Sequence, residues 1–261
     1  MRRVPALLVT LALAAVSRPP AVAQPPEGLL VAAAADLRYA FEELAGVWRG
    51  RTAIPVTFSF GSSGQLAQQV EHGAPFDVFF SANEAFVQRL AEQGHILPHT
   101  VQLYAIGRIV LWVRRASELD PGRGMAVLLD PRVRYLAIAS PDHAPYGEAA
   151  RQALVRSGLY DRVRPKLVYG ENVSLTLQLV QSGNADIGLV ALSLALAPPV
   201  SREGRFWLVP QGLHDPIRQA AGVVARSPRQ PQARALLAFV NGPAGRPVMR
   251  RYGFVLPGEG P

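Results

Sequence analysis

The sequence has 261 residues, enough for one large domain or two smaller ones, each with its own core. Apolar residues make up 49% and charged residues 18%, a balance that excludes a disordered chain. The absence of cysteine excludes disulfides, thiolate metal sites, cysteine nucleophiles and a lipid-modified cysteine behind a leader.

Arg2 and Arg3 precede the apolar run 6–16, and Ala21-Val22-Ala23 follows with the small-x-small pattern of a cleavage site. This predicts an export signal over residues 1–23, cut before Gln24. The run is too short to cross a bilayer as a helix, and no later stretch is long enough either. Loss of Arg2, Arg3 and Arg18 lowers the formal charge from +8 to +5. Lys166 is the only lysine, and the arginines are scattered apart from pairs such as Arg114-Arg115 and Arg250-Arg251. Nucleic-acid binders gather basic residues on one face and interleave aromatics, so no nucleic acid is expected as a partner. A modest positive surface draws anions weakly.

Residues 28–34 read as a buried strand and 37–48 as an amphipathic helix, with Leu37, Phe41, Leu44 and Trp48 at helical spacing and Asp36 at the N-cap. A strand over 54–60, a helix over 65–71 and a strand over 77–80 follow. Ser81-x-x-Glu84 has the form of a capping box opening a helix to residue 93. The alternation restarts with strands at 135–139, 167–169 and 186–190 and helices at 147–156 and 173–181. Between the halves, the apolar run 101–113 is long enough to cross from one lobe to another, with 219–225 as its return partner. Helices over 232–241 and 244–251 close the chain. This order predicts an α/β fold of two lobes, each a mostly parallel sheet flanked by helices, joined by two crossing strands. The expected boundaries are 24–106 for the first lobe, 107–220 for the second and 221–261 for the return.

Three handovers from strand to helix stand out: Ala34-Ala35-Asp36, Gly61-Ser62-Ser63-Gly64 and Glu171-Asn172-Val173-Ser174. Ligands of open α/β sheets sit at the carboxyl ends of strands, and the first turn of a helix offers free N–H groups and a positive dipole end. Several such ends facing one cleft make an anion site without any cationic side chain. Each junction taken singly reads first as an ordinary cap or tight turn. Enzyme signals are weak. Gln65 breaks the Gly-x-Ser-x-Gly spacing of a hydrolase elbow. Ser140, Asp142 and His143 are neighbours in one loop, and the five histidines lack metal-ligand spacing.

At these junctions the chain resembles the periplasmic molybdate-binding proteins of ABC transporters, which have the type II periplasmic-binding-protein fold. The resemblance rests on Val31-Ala-Ala-Ala-Ala-Asp-Leu37, Phe58-Ser-Phe-Gly-Ser-Ser-Gly-Gln-Leu66 and Gly73-Ala-Pro-Phe-Asp-Val-Phe-Phe-Ser-Ala82. Pro141-Asp-His-Ala-Pro-Tyr-Gly147, Asn184-Ala-Asp-Ile-Gly-Leu-Val190 and Arg251-Tyr-Gly-Phe254 continue it in the same order. The resemblance implies a tetrahedral dianion held by hydroxyl and backbone N–H donors of both lobes. Carried over by position, the ligand contacts are Asp36, Ser63, Tyr146 and Val173, with Ala35, Ser62, Asn172 and Ser193 as further candidates. Two positions depart from the family pattern. Asp36 stands where many members have serine, and Ala191 where many have tyrosine. Asp36 could cap its own helix and leave only its N–H for the ligand, while Tyr146 or Ser193 could supply the missing hydroxyl.

The expectation is therefore a monomeric periplasmic binding protein that captures molybdate, and tungstate with it, and delivers it to an ABC transporter permease. It is expected to need no cofactor, to bond no metal directly and to catalyse no reaction. A binding protein for sulfate, thiosulfate or another oxyanion is the alternative. A secreted hydrolase using Ser62 or Ser63, or a sensor reporting to a membrane receptor, belongs to another class. The leader predicts that mass spectrometry of the exported protein finds its N-terminus at or near Gln24; an intact Met1 would overturn the cleavage.

Overall fold

The computed structural model describes residues 28–259, so the expected leader and its cleavage point lie outside the described residues. The chain opens with β1 (Leu29–Ala34), a turn of 3-10 helix at Ala35–Leu37 and α1 (Arg38–Thr52). Then come β2 (Val56–Gly61), α2 (Ser63–Glu71), β3 (Val78–Ser81), α3 (Glu84–Glu92) and β4 (Gln102–Gly107). The second half runs β5 (Ile109–Arg114), β6 (Leu136–Ala139), α4 (Pro145–Arg156), α5 (Tyr160–Val163), β7 (Leu167–Gly170) and α6 (Val173–Gln181). It continues through β8 (Ile187–Ala191), α7 (Leu192–Ala195), α8 (Pro198–Ser201) and β9 (Gly204–Leu208). The chain then returns as β10 (Ile217–Val223) and ends with α9 (Gln230–Asn241) and α10 (Gly245–Arg251).

Two five-stranded sheets result, ordered β2-β1-β3-β10-β4 and β7-β6-β8-β5-β9. In each, four strands run in one direction and a single strand, β10 in the first sheet and β5 in the second, runs against them. The parallel expectation holds for the strands that alternate with helices, because a crossover helix returns the chain in the same direction. The antiparallel strands are those next to the passages between lobes. There the sequence boundaries need correction. The apolar run 101–113 is two strands, one per sheet, with Arg108 between them. On the return, Ile217 already pairs with Gly107 in the first sheet, so the expected boundary at 221 falls inside β10.

The helices form where the apolar spacing places them. Phe41, Leu44 and Trp48 of α1 are buried, and Phe41 meets Phe80 of β3 edge-on at 4.8 Å. Two local expectations fail. Asp36 does not cap α1: it lies in the 3-10 turn, and α1 begins after Leu37 without a side-chain cap. The extra turn carries the Asp36 side chain away from the helix end. Likewise Asn83, not Ser81, caps α3, its Oδ1 accepting from the Ala85 N–H at 2.9 Å. Ser81 instead forms a tight turn with the Asn83 backbone.

Asp77, 1% exposed, pins the first sheet to the segment after β10. Its Oδ2 accepts from the Leu30 N–H at 2.8 Å and its Oδ1 from the Ser227 hydroxyl at 2.6 Å. A buried donor left without its acceptor costs about 1–3 kcal/mol. Asp77→Ala strands two of them and is expected to lower stability by about 2–5 kcal/mol in urea unfolding; a loss under 1 kcal/mol would show that water replaces the carboxylate.

Candidate functional site

The carboxyl ends of β1, β2 and β3 in one sheet and of β6 and β7 in the other converge on a small cavity between the lobes. Ala34, Ala35, Asp36, Gly61, Ser62, Ser63 and Ala82 line it from the first lobe, and Ala144, Pro145, Tyr146, Asn172 and Val173 from the second. It is small, with about 10 Å³ of room for water-sized centres, close to the space that one water molecule needs. No lysine, arginine or histidine is among these lining residues.

Three helices begin at this wall. Ser62 precedes α2, Ala144 precedes α4 and Asn172 precedes α6. Their first backbone N–H groups have no partner within the helix, and the neighbouring residues show which of them are already used. The Asn172 Oδ1 accepts from the Ser174 and Leu175 N–H groups, both at 3.0 Å, and the cap stops short of Val173. In α4, Pro145 has no N–H and Gly147 and Glu148 donate to the Ala144 carbonyl, which leaves Tyr146 as the first-turn donor. In α2, the Gly64 N–H crosses to the His143 carbonyl at 2.9 Å, next to the Ser63 N–H. The Ser63 Oγ accepts from the Ala82 N–H at 2.9 Å, so its own proton is free to be donated elsewhere.

Close backbone approach makes this convergence possible. A Cβ on Gly147 would lie 2.2 Å from the Ala139 carbonyl oxygen, and one on Gly64 would lie 2.8 Å from the His143 carbonyl oxygen. The first contact seats α4 on the end of β6, and the second lets the two lobes meet.

Behind the cavity lies a buried polar cluster. The Asp36 Oδ2 accepts from the Tyr146 hydroxyl at 2.9 Å and from the Gln219 Nε2 at 2.8 Å. The Gln219 Oε1 accepts from the Tyr104 hydroxyl at 2.6 Å. The Asp36 Oδ1 is buried without a hydrogen-bond partner. Burial pushes the Asp36 carboxyl up to about 6, against the opposing pull of hydrogen bonds from Gln219, Tyr146 and its own backbone N–H. Burial and the nearby Asp36 charge raise the Tyr146 and Tyr104 hydroxyls well above their ordinary value, so both stay neutral donors.

Asp36, Ser63, Tyr146, Val173, Ala35, Ser62 and Asn172 are thus brought to one wall. Ser193 and Ala191 lie outside the lining set. The Ser193 hydroxyl donates to the Asp36 carbonyl at 2.7 Å, and Ala191 is fully buried at the end of β8. The Tyr146 hydroxyl is directed to Asp36. Sequence reasoning missed Gln219 and Tyr104, which lie in strands and carry no motif. The Ser62 Oγ lies 2.8 Å from both the Nδ1 and the carbonyl oxygen of His143. A serine nucleophile needs a base that is itself oriented by a third group, and among the described residues no carboxylate is hydrogen-bonded to His143.

The profile of a family described as bacterial extracellular solute-binding protein matches residues 29–255. The molybdate-binding protein ModA of Rhodobacter capsulatus is 34% identical over 227 residues, covering 87% of this chain and 88% of that protein. The solved periplasmic molybdate-binding protein of Azotobacter vinelandii superposes with a TM-score of 0.83 at 34% identity, covering 88% of this chain and 99% of that one. The sulfate-binding protein SubI of Mycobacterium tuberculosis shares the fold, with a TM-score of 0.70 at 17% identity over 88% of this chain and 87% of that one.

The raised Asp36 carboxyl has a stability consequence with a definite sign. A folded-state value of about 6 against the ordinary 3.8 means that the native state holds this proton more tightly than the unfolded chain. Stability is therefore full below about pH 4 and falls as pH rises to about 6, by about 3 kcal/mol for a shift of this size. Asp36→Asn removes the titration, and its Oδ1 can still accept from Tyr146 and Gln219. Urea unfolding is expected to give equal stabilities near pH 4 and a variant more stable by about 1–3 kcal/mol near pH 7.5. A parent at least as stable as the variant near pH 7.5 would refute the assignment.

Proposed function

The chain belongs to the bacterial extracellular solute-binding proteins, and from that premise we propose that it captures molybdate, and tungstate with it, in the periplasm. It hands the ion to the permease of an ABC transporter, acts as a monomer and catalyses no reaction. The observation that carries this is the small cavity on which three helix N-termini converge from two lobes without a cationic side chain. Its likeness to the Rhodobacter and Azotobacter proteins supports the choice of ion.

A dianion taken from water into such a cavity must have its oxygens hydrogen-bonded, or desolvation is prohibitive. The donors are the Ser63 hydroxyl and the first-turn N–H groups of Ser63, Tyr146 and Val173, each at the positive end of a helix dipole. Asn172 orients α6, and Ala35 and Ser62 close the wall. The Tyr146 hydroxyl acts through Asp36 instead of on the ligand. Closing the lobes around the ion brings donors of both together, and the fit sets which ion is held. Donors with no acceptor among them favour a fully ionised tetrahedral ion over one that must itself donate a proton, such as hydrogen phosphate. Sulfate has the same charge and shape and is smaller, so it makes longer contacts in a cavity shaped for molybdate.

Calorimetric titration with molybdate, tungstate, sulfate and phosphate tests this. Molybdate and tungstate are expected to bind alike, sulfate more weakly and phosphate not at all near pH 7.5. Ser63→Ala removes one hydrogen bond to a charged ligand and is expected to weaken molybdate binding by about ten- to a hundredfold. Unchanged affinity in that variant would remove Ser63 from the site, and phosphate binding as tight as molybdate would refute the donor-only wall.

A further inference from the structure

We propose that Asp36 is a proton-loaded donor, which takes up one proton from solvent when the oxyanion binds and presents it through Oδ1 to the ligand. This rests on the oxyanion reading above and assigns to the site a residue whose charge would otherwise oppose it.

The geometry divides the carboxyl group into two unlike oxygens. Oδ2 is saturated as an acceptor by Tyr146 and Gln219. Oδ1 is buried and has no partner, although the residue lines the cavity. Ionised, Oδ1 could only accept, and a fully ionised ligand has nothing to donate to it. Two negative charges would then share a dry cavity, where charge repulsion is many times stronger than in water. Protonated at Oδ1, the same group becomes an O–H donor pointing away from an Oδ2 that keeps both of its hydrogen bonds. One proton thus removes the repulsion and adds a hydrogen bond.

The surroundings favour this state. Tyr146 from α4 and Tyr104 from β4 are the titratable groups on the Asp36–Gln219 cluster, and both stay neutral. β2, α6 and α7, which pack on the Asp36 turn, bring no ionisable side chain. On α1, the Arg38 guanidinium lies over the Phe60 ring at 5.4 Å, and Glu43 pairs with Arg251. On β10, Arg218 pairs with Glu84, and on α4, Glu148 pairs with Arg151. No cation is hydrogen-bonded to the Asp36 carboxyl to hold it ionised. Burial raises its affinity for a proton even before a ligand arrives, and a bound dianion raises it further.

Linkage turns this into a measurable slope. Above the proton affinity of the free site and below that of the loaded one, the dissociation constant rises nearly tenfold for each unit of pH. Molybdate titrations from about pH 6.5 to about pH 8.5 are expected to show that rise in the parent. Asp36→Asn, whose amide can donate at any pH, is expected to stay within about twofold over the same range. His143, next to Ser62, is present in both proteins, so the difference between them reports Asp36. Titration of the parent near pH 7.5 in buffers of different ionisation enthalpy is expected to show uptake of about one proton per molybdate, against none in Asp36→Asn. Tight molybdate binding with a flat pH profile or no proton uptake would overturn the proposal and leave the oxyanion reading standing. Failure of both proteins to bind any oxyanion at any pH would overturn that reading, and this proposal with it.

Discussion

The two hydrogen bonds into the Asp36 Oδ2 come from different parts of the chain, one from Tyr146 at the start of α4 and one from Gln219 in the return strand. The first crosses the cleft, and the second runs within the first lobe beside the passage to the second. Gln219 also accepts from Tyr104 on the outgoing side of that passage. A single carboxyl group therefore ties the end of β1, both strands flanking the lobe connections and the first turn of α4 into one buried network. Buried polar groups are stabilising only when satisfied, so the network holds α4 in one position relative to the first sheet. The Tyr146 and Ser63 N–H groups face a common space because of that position.

The other inter-lobe hydrogen bonds run from the exposed edge of the cleft to its buried interior. Gln65 donates to Glu171 at the exposed edge, and the Gly64 N–H and Ser62 hydroxyl both meet His143. The Ser174 hydroxyl, in the first turn of α6, donates to the Ala35 carbonyl at 2.8 Å. This last bond does for α6 what Tyr146 does for α4. It fixes the helix end against the β1 turn while the Asn172 side chain occupies the next two N–H groups. Helix dipoles act over about one turn, so an error of a few ångströms in helix placement would forfeit much of their effect on an ion. The hydrogen bonds that look structural thus set the electrostatics of the cavity.

How far the sequence disclosed this differs from residue to residue. The helix start at Val173 was legible and that of α2 was placed two residues late, at 65, because a strand, a turn of glycine, serine or asparagine and a new apolar period follow within a few positions, all local signals. Asp36 was legible as a junction residue but not in its role, since an aspartate before a helix reads as a cap and only the extra 3-10 turn moves it off. Gln219 and Tyr104 were illegible. One lies 183 residues from Asp36 and the other 115 residues from Gln219, and a polar side chain on an apolar strand carries no mark of its partner. The lobe boundary at 221 failed for a related reason. The sequence Ala220-Ala221-Gly222-Val223 runs through that point without a break, and only the pairing of β10 with β3 and β4 shows which sheet owns it.

A wall made only of neutral donors has a weakness that the Asp36 cluster answers. Neutral donors bind any anion of suitable size, and discrimination among anions must then come from fit alone. A carboxyl group whose proton is held by burial adds a second criterion, because its O–H serves a fully charged oxygen and repels nothing, while its ionised form repels every anion. The cost of keeping such a group dry is carried by Tyr146, Gln219 and Tyr104, all of them buried. Replacing this arrangement by a serine would give a donor with no titration and a cavity indifferent to pH. The cluster is thus best understood as one unit, with the unpartnered Oδ1 as its tip and the β4 and β10 side chains as its base.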